Sequence, residues 1–540
     1  MNIETPVLIV GGGPVGLALA LELGWRGAAC LLVEALDRDG YKTHPRANLV
    51  NSRTMEFCRR WGIAGRVKEA GTPPGYPHTA MYVTSLRGHL IARIDRPQHG
   101  GGRQIAFTPE PPQRCNQIWF DPVLRERAEG FSNVRLRYRW RFDSFVQDAE
   151  GVTSSVTDTT TGESHTVRSA YLAACCGGRS PIRRILGVDK NEGEVLGAPL
   201  SIYFRAENLW DYHDKGKGVL HFIVGPGGVW ATLNSLNGGD LWRVTLHGGA
   251  KEHAPAKAVD HKSILTRIVG VDFPYELIAI SPWVRRKLVT AAYRHGRVFL
   301  AGDCAHQNTP TGGYGMNTGM GDAVDLGWKL AAALAGWAGP GFLDSYDAER
   351  RPVALRNVEE ATRNFQMRSF APIPELVEAA PAGEAARKRL GDEIVKRTGR
   401  ELLSDGIALG YRYDGSPIVC PDGSEPPPVS VTEYVQTSFP GARAPHVRLA
   451  DGRSTLDLFG KAYVMLRLSR DTPEAASFEE AARRRGAPFE VATIDEPAVV
   501  SAYEKKLVLV RPDGHVAWRG DSLPADADAV VARATGALPN

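Results

Sequence analysis

The first 34 residues limit the fold more than any other part of the chain. Thr5 to Val10 is a short apolar, β-rich run, and it leads straight into Gly11-Gly12-Gly13-Pro14-Val15-Gly16. An amphipathic helix pattern follows through Trp25. A second apolar run, Cys30 to Val33, then ends in Glu34, 18 residues after Gly16. Strand, glycine turn, helix, strand and acid is the context in which Gly-x-Gly-x-x-Gly signifies a dinucleotide site. Gly11 allows the tight turn, Gly13 lets backbone approach a pyrophosphate, and Gly16 lets helix and strand pack closely. Glu34 is placed to take the hydroxyls of an adenosine ribose, which argues against a 2′-phosphate there. Gly11, Gly13, Pro14, Gly16 and Glu34 are therefore expected cofactor contacts.

A second loop far along the chain has a related build. Val298 to Ala301 reads as a buried strand that stops at Gly302, and a helical pattern begins near Asn317 and continues through Leu326, Leu330, Leu334 and Trp337. Glycines and Pro310 fill the space between, so backbone can come close to a ligand. Asp303, just past the strand end, is placed to accept hydrogen bonds from hydroxyl groups. Gly315, Met316 and Asn317 stand at the expected helix start, where free N–H groups and a partial positive charge suit an anionic partner. The two loops together fit one extended cofactor. FAD is the dinucleotide whose ribityl chain needs an extra acid such as Asp303.

The 540 residues suffice for two or three domains with sizeable cores. A net charge of +4 over this length is too weak to suggest nucleic acid, and Arg135, Arg137, Arg139 and Arg141 alternate with other residues as on the wet face of a strand. The N-terminus enters a strand without a basic leader, and no apolar run reaches the ~18–20 residues that span a bilayer, so neither a secretory signal nor a membrane segment is expected. The seven cysteines are scattered without a Cys-x-x-Cys, which predicts a reduced, cytoplasmic protein with no disulfide framework and no metal.

The expected fold class is α/β: an FAD-binding Rossmann-like domain interrupted by a β-rich substrate domain and followed by a small C-terminal α/β domain. The expected units are 1–74, 113–190 and 287–402 for the FAD-binding domain, with 75–112 and 191–286 for the substrate domain. A Pro-rich linker is expected over 403–429 and the C-terminal domain over 430–540. The substrate block is rich in aromatics (Tyr203, Phe204, Trp210, Phe222, Trp230, Trp242), which could line a pocket for a planar ligand or pack two layers. Gly225-Pro226-Gly227-Gly228 is not followed by a helix pattern, so no second dinucleotide fingerprint is expected.

These motifs resemble those of the single-component flavin monooxygenases of the aromatic hydroxylase type, over nearly the whole chain. Gly11-x-Gly13-x-x-Gly16 with Glu34 is similar to the family's ADP motif, and Gly302-Asp303 with Ala305-His306 and Pro310 to its second flavin motif. The tail resembles the thioredoxin-like C-terminal domain of phenol, hydroxyphenylpropionate and polyketide hydroxylases through Phe439-Pro440-Gly441-x-Arg443-Ala444-Pro445-His446 and Asp457-Leu458-Phe459-Gly460, without any cysteine after Cys420. The resemblance implies that Arg46 and Gln117 contact the cofactor, that Asp303 binds ribityl hydroxyls, that Met316 and Asn317 present backbone to the pyrimidine edge, and that Pro310 lies against the ring. One departure stands out: Gly177-Gly178 replaces the family's usual Asp-Gly, while Arg179 and Ser180 match.

The implied reaction uses NADPH or NADH as transient electron donor and O2 to hydroxylate a small aromatic, phenolic or polyketide-type substrate through a flavin C4a-hydroperoxide. A phenol reacts best near its phenolate form, so a general base is expected. Tyr203, His221 and His247 are the candidates; each could instead be a hydrogen-bonded sheet residue. The same chemistry could serve epoxidation or Baeyer–Villiger oxidation, and a non-catalytic flavin-fold binding protein is the alternative from another class. A homodimer is possible.

Overall fold

The computed structural model describes residues 2–95, 105–188, 193–247 and 259–537. Positions 96–104, 189–192 and 248–258, parts of the expected units 75–112, 113–190 and 191–286, lie outside the described residues, as do the terminal positions.

The first sheet is built around Asn2–Val10, whose Val7, Leu8 and Ile9 are fully buried, as in a parallel strand covered on both faces. Its order is Arg294–His295, Val298–Leu300, Ser164–Ala174, Asn2–Val10, Cys30–Glu34, Val134–Tyr138. All neighbours in that order run parallel except the first pair. Trp140–Gln147 and Val152–Asp158 extend it as an antiparallel meander. Helices Pro14–Trp25 and Tyr314–Leu334 pack together on this sheet, and Leu17, Leu21, Ala323 and Leu326 are fully buried between them.

A seven-stranded sheet runs Glu276–Pro282, Leu200–Arg205, Leu241–Leu246, Gly228–Ser235, Leu220–Gly225, Ala80–Val83, Leu90–Ile94. Gly225 to Gly228 is a hairpin turn in it, with no helix following. Period-2 alternation sends Ile202, Phe204, Leu233, Trp242 and Val244 to one face, where they pack with Leu265, Ile268 and Val269 of helix His261–Val269. The opposite face carries Tyr203 and Arg243, paired across adjacent strands. It turns toward the first sheet: Arg243 Nη1 donates to the carbonyls of Pro45 and Arg46 at 2.8 and 2.7 Å, and Tyr203 packs against Ile118.

The C-terminal sheet has the order Phe489–Thr493, Tyr463–Arg467, Leu507–Val510, Val516–Gly520, the first pair parallel and the others antiparallel. With helices Ala476–Arg484, Pro497–Tyr503 and Ala527–Ala534 this is a thioredoxin-like arrangement. It docks through buried charges. Arg511 donates to both oxygens of Glu349 at 2.5 and 2.8 Å, and Arg443 pairs with Glu56.

Two expectations need correction. The stretch 403–429 reads as a linker because of its prolines, yet it holds helix Asp405–Ala408 and buries Tyr411, Tyr413, Ile418 and Cys420. Its tyrosines stack on His515 from one side and face Arg350 from the other, so it is a packed strap between the sheets. The second helix begins at Tyr314 rather than near Asn317, because Gly312 and Gly313 take left-handed φ values of +81° and +73° and swing the chain in early.

Candidate active site

The glycine turn is fixed by backbone contact. Gly11 has φ +112°, and a Cβ there would stand 2.4 Å from the Cys175 carbonyl oxygen; a Cβ on Gly16 would stand 1.9 Å from the carbonyl oxygen of Gly11. A Cβ on Gly13 would meet nothing within 4 Å. Gly16 thus closes the turn on Gly11, Gly11 packs on the Cys175 segment, and Gly13 leaves a side open to the cleft. Glu34 is buried; its Oε2 accepts from Gly12 N at 2.6 Å and its Oε1 from Leu36 N at 2.8 Å. A carboxylate has about four lone-pair positions, and with Tyr41 also hydrogen-bonded to Glu34, capacity remains for a ribose hydroxyl.

Asp303 emerges on the same edge of the sheet. Val10 is in register with Ala174, and Ala174 with Leu300, so the Gly302-Asp303 segment leaves a strand end two strands from the glycine turn. A crevice outside the carboxyl ends of parallel strands is where such sheets bind nucleotides. A Cβ on Gly302 would lie 2.9 Å from Val15 Cγ2, and one on Gly319 2.6 Å from the same methyl, so the first helix, the Asp303 loop and the second helix meet at one point. Asp303 itself is exposed, as is Pro310.

A polar network missed by the sequence reading secures this loop. Asp322, fully buried on the second helix, accepts from Gly302 N at 3.1 Å, His306 Nε2 at 2.8 Å and Arg350 Nε at 2.9 Å. Burial alone would push the Asp322 carboxyl up, but His306 and Arg350 outweigh it and hold the carboxyl below its usual range. His306 therefore orients its own loop. A signal was available: Asp322, Asp325 and Lys329 recur at helical spacing on a face otherwise made of apolar residues.

The two ends of the cleft are stitched by the segment after Arg46. Ala47 O accepts from Gln117 N at 2.8 Å, at the start of helix Gln117–Glu129, and Leu49 O accepts from Asn317 Nδ2 at 2.9 Å. The Asn317 side chain is spent on structure: its Oδ1 accepts from Asn51 N and Thr54 Oγ1, and its Nδ2 also donates to Gly313 O. As the fourth residue of its helix, Asn317 is past the free N–H groups, which belong to Tyr314, Gly315 and Met316. Gln117 is buried and its Nε2 donates to Asp121 Oδ2 at 3.0 Å, while Arg46 is exposed. Burial pushes the Asp121 carboxyl up to about 7. Asp121 Oδ1 and both side-chain heteroatoms of Asn48 are buried without a hydrogen-bond partner.

The candidate bases are not brought together. Tyr203 is 5% exposed among Ile118, Leu236 and Ile278, on the face turned to the cleft, and burial raises its hydroxyl pKa. His247 bonds Thr232 Oγ1 at 2.6 Å through Nε2, and Arg285 Nη2 lies 3.3 Å from its Nδ1. A guanidinium only donates, so Nδ1 is the accepting nitrogen and Nε2 carries the proton. Burial, with Arg285 and Arg368 adding to it, pushes His247 down to about 3. His221 lies on the opposite face of the sheet, fully buried against Trp210, and burial pushes it down to about 3. Its place in the sheet core, away from the cleft, removes the geometric basis for a catalytic role.

These residues fit FAD: an open side at Gly13, spare acceptor capacity on Glu34, an exposed acid at Asp303 on the same edge, and unpartnered buried polar atoms on Asn48, in the segment after Arg46, and on Asp121 of helix Gln117–Glu129. Comparison with known proteins agrees. Residues 4–361 match the FAD binding domain family, and residues 437–537 match the family described as aromatic-ring hydroxylase, C-terminal. The chain belongs to the FAD-dependent aromatic hydroxylases. It is 33% identical to a putative polyketide hydroxylase of Streptomyces halstedii, over 97% of this chain and 95% of that protein. It is also 33% identical to a 4-methyl-5-nitrocatechol 5-monooxygenase of a Burkholderia species, over 99% and 98%. The solved structure of the rebeccamycin biosynthetic enzyme RebC with reduced flavin superposes with a TM-score of 0.90 at 38% identity, covering 100% of both chains. As an aromatic hydroxylase of this family the chain is an FAD-dependent monooxygenase. Among the described residues no helix is long and apolar enough to cross a membrane.

Proposed function

We propose that this hydroxylase acts on a phenolic, polyketide-like aromatic bound as its anion against the Tyr203–Arg243 face, with NADPH or NADH as electron donor. FAD, when bound, supplies the redox chemistry, accepting reducing equivalents and activating O2. The chain supplies position and charge. Gly13 and the first turn of Pro14–Trp25 would approach the pyrophosphate, Glu34 would hold the ribose, and Asp303 the ribityl hydroxyls. The free N–H groups of Tyr314, Gly315 and Met316 favour negative charge at the pyrimidine edge. Pro310, exposed in the loop, would shield the ring, and Arg46 and Gln117 would contact the cofactor.

The observation that carries the substrate reading is the charge on the sheet face. Arg243 bonds only backbone carbonyls and no described carboxylate, with its Nε buried and unpartnered; burial pushes it down to about 10, so it stays cationic. Arg285, 3.3 Å from His247 Nδ1 and stacked at 4.3 Å on Phe365, is also unpaired with any described carboxylate. Unneutralised guanidinium groups favour a phenolate over a phenol, which lowers the need for a strong general base. That fits His247, whose Nδ1 is already engaged.

The test is substrate-stimulated oxidation of NADPH and NADH across phenols, polyketide aromatics and their methyl ethers, with products identified by NMR. Free phenols should stimulate consumption and gain a ring hydroxyl. Arg243→Met should lower kcat/KM, counted per bound FAD, by about tenfold or more, the worth of one charge-assisted hydrogen bond. Equal stimulation by phenols and ethers would remove the anion reading, and an epoxide or lactone product would favour the alternative oxidation. A reducing, cytoplasmic setting is supported by seven free cysteines, and a homodimer is testable by light scattering.

A further inference from the structure

The fold brings two cysteines, 128 residues apart in sequence, to an Sγ···Sγ distance of 3.5 Å at the edge of the flavin cleft. Cys176 follows the strand Ser164–Ala174, one residue before the departure at Gly177. Cys304 follows Asp303 directly. Ser180 Oγ lies 3.1 Å from Cys176 Sγ, and Cys304 Sγ lies 3.4 Å from Gly177 O. Arg183 ties the same two segments, donating to Cys304 O and Gly178 O.

We propose that Cys176 and Cys304 form an oxidative modification site, a dithiol that hydrogen peroxide converts to a disulfide, fastening the Asp303 loop to the Gly177 loop. Cys176 is the attacking sulfur: it is half-buried, whereas the six other cysteines are buried. Hydrogen bonding from Cys304 and Ser180 holds its thiol below the usual range. Burial raises Cys30 and Cys115 to about 12, Cys420 to about 11, and Cys58, Cys175 and Cys304 well above the ordinary value.

In the first step the Cys176 thiolate attacks one peroxide oxygen, the O–O bond breaks, and the departing hydroxide takes a proton and leaves as water, giving a sulfenic acid. The Cys304 sulfur then attacks that sulfur. The S–S bond forms, the S–O bond breaks, and the proton lost by Cys304 leaves with the hydroxide as a second water. Two thiols are oxidised by two electrons, and one peroxide is reduced to two waters.

Both loops leave neighbouring parallel strands at the edge where Glu34 and Asp303 face the cofactor, so a cross-link there restrains the opening that FAD release requires. The test uses the FAD-loaded protein, treated with graded hydrogen peroxide, alkylated without reduction, digested and mapped by mass spectrometry. A Cys176–Cys304 cross-linked peptide pair is expected before the other cysteines react, in wild type and in Cys175→Ala alike. FAD should then leave about tenfold more slowly than from the reduced protein, with dithiothreitol restoring the original rate. Cys176→Ser should show neither effect. Two results would overturn the proposal: Cys176 accumulating as sulfinic acid while Cys304 remains a free thiol, or a cross-linked protein that releases FAD at the reduced protein's rate.

Discussion

The two ends of the flavin cleft are built by different physics. At the glycine turn, Gly16 packs on the carbonyl of Gly11 and Gly11 on the carbonyl of Cys175, so the turn is fixed by backbone sterics. At the Asp303 end, the Gly302–Tyr314 loop is held by groups that arrive from elsewhere: the side chains of Asp322 and Asn317 on the following helix and of Arg350 on the helix Ser345–Gln366, and the backbone of Leu49 and Asn51 from near the N-terminus. Close packing tolerates no added atom, whereas a buried polar network tolerates no missing one. The first end should therefore fail on enlargement and the second on truncation.

The largest effect expected is Asp322→Ala, which strands buried Arg350 and frees Gly302 N. A loss of about 3–5 kcal/mol is the scale for breaking a buried ion pair, read as a lower melting temperature together with lost FAD content. Because the folded-state pKa of Asp322 is depressed, its contribution is complete above the unfolded carboxylate value and is lost as pH falls through the folded one. The stability gap between wild type and Asp322→Ala should therefore shrink on acidification, and a gap independent of pH would contradict the network.

Asn317→Ala should come next. It removes four hydrogen bonds and leaves buried partners unmet, at about 2–3 kcal/mol by denaturant unfolding. Gly16→Ala should follow at about 1–3 kcal/mol, the usual range for overpacking, with FAD affinity falling in parallel. Gly13→Ala is the sharpest control. Its Cβ meets no protein atom, so stability should move by less than about 0.5 kcal/mol while FAD binding weakens. If Gly13→Ala destabilised the apoprotein as much as Gly16→Ala, the division between closing and open glycines would be wrong.

That division also explains what the sequence discloses. The glycine turn, Glu34 and the helix Gln117–Glu129 are legible because spacing along the chain determines their geometry, and the C-terminal strands Tyr463–Arg467 and Leu507–Val510 are legible from short apolar runs. Asp303 is legible through its strand-end position. Arg243 is not, since it acts through the Pro45 and Arg46 carbonyls that only tertiary folding brings to it, and Asp322 shows only as a polar residue in an apolar helix pattern, its partners Gly302, His306 and Arg350 unseen. The strap at 403–429 misleads for a related reason: its prolines signal an open connection, but Tyr411 and Tyr413 find Arg350 and His515 only in the folded chain. His221 is misplaced by one step of strand alternation, which sends it to the face away from the cleft.

The most direct measurement is a double-mutant comparison of FAD affinity by fluorescence titration of the apoprotein, using Glu34→Gln, Asp303→Asn and the pair. If one molecule of FAD is gripped at both strand ends, each single change weakens binding by about tenfold and the double by about a hundredfold, as for separate contacts on one ligand. An Asp303→Asn protein that binds FAD within about twofold of wild type would contradict it.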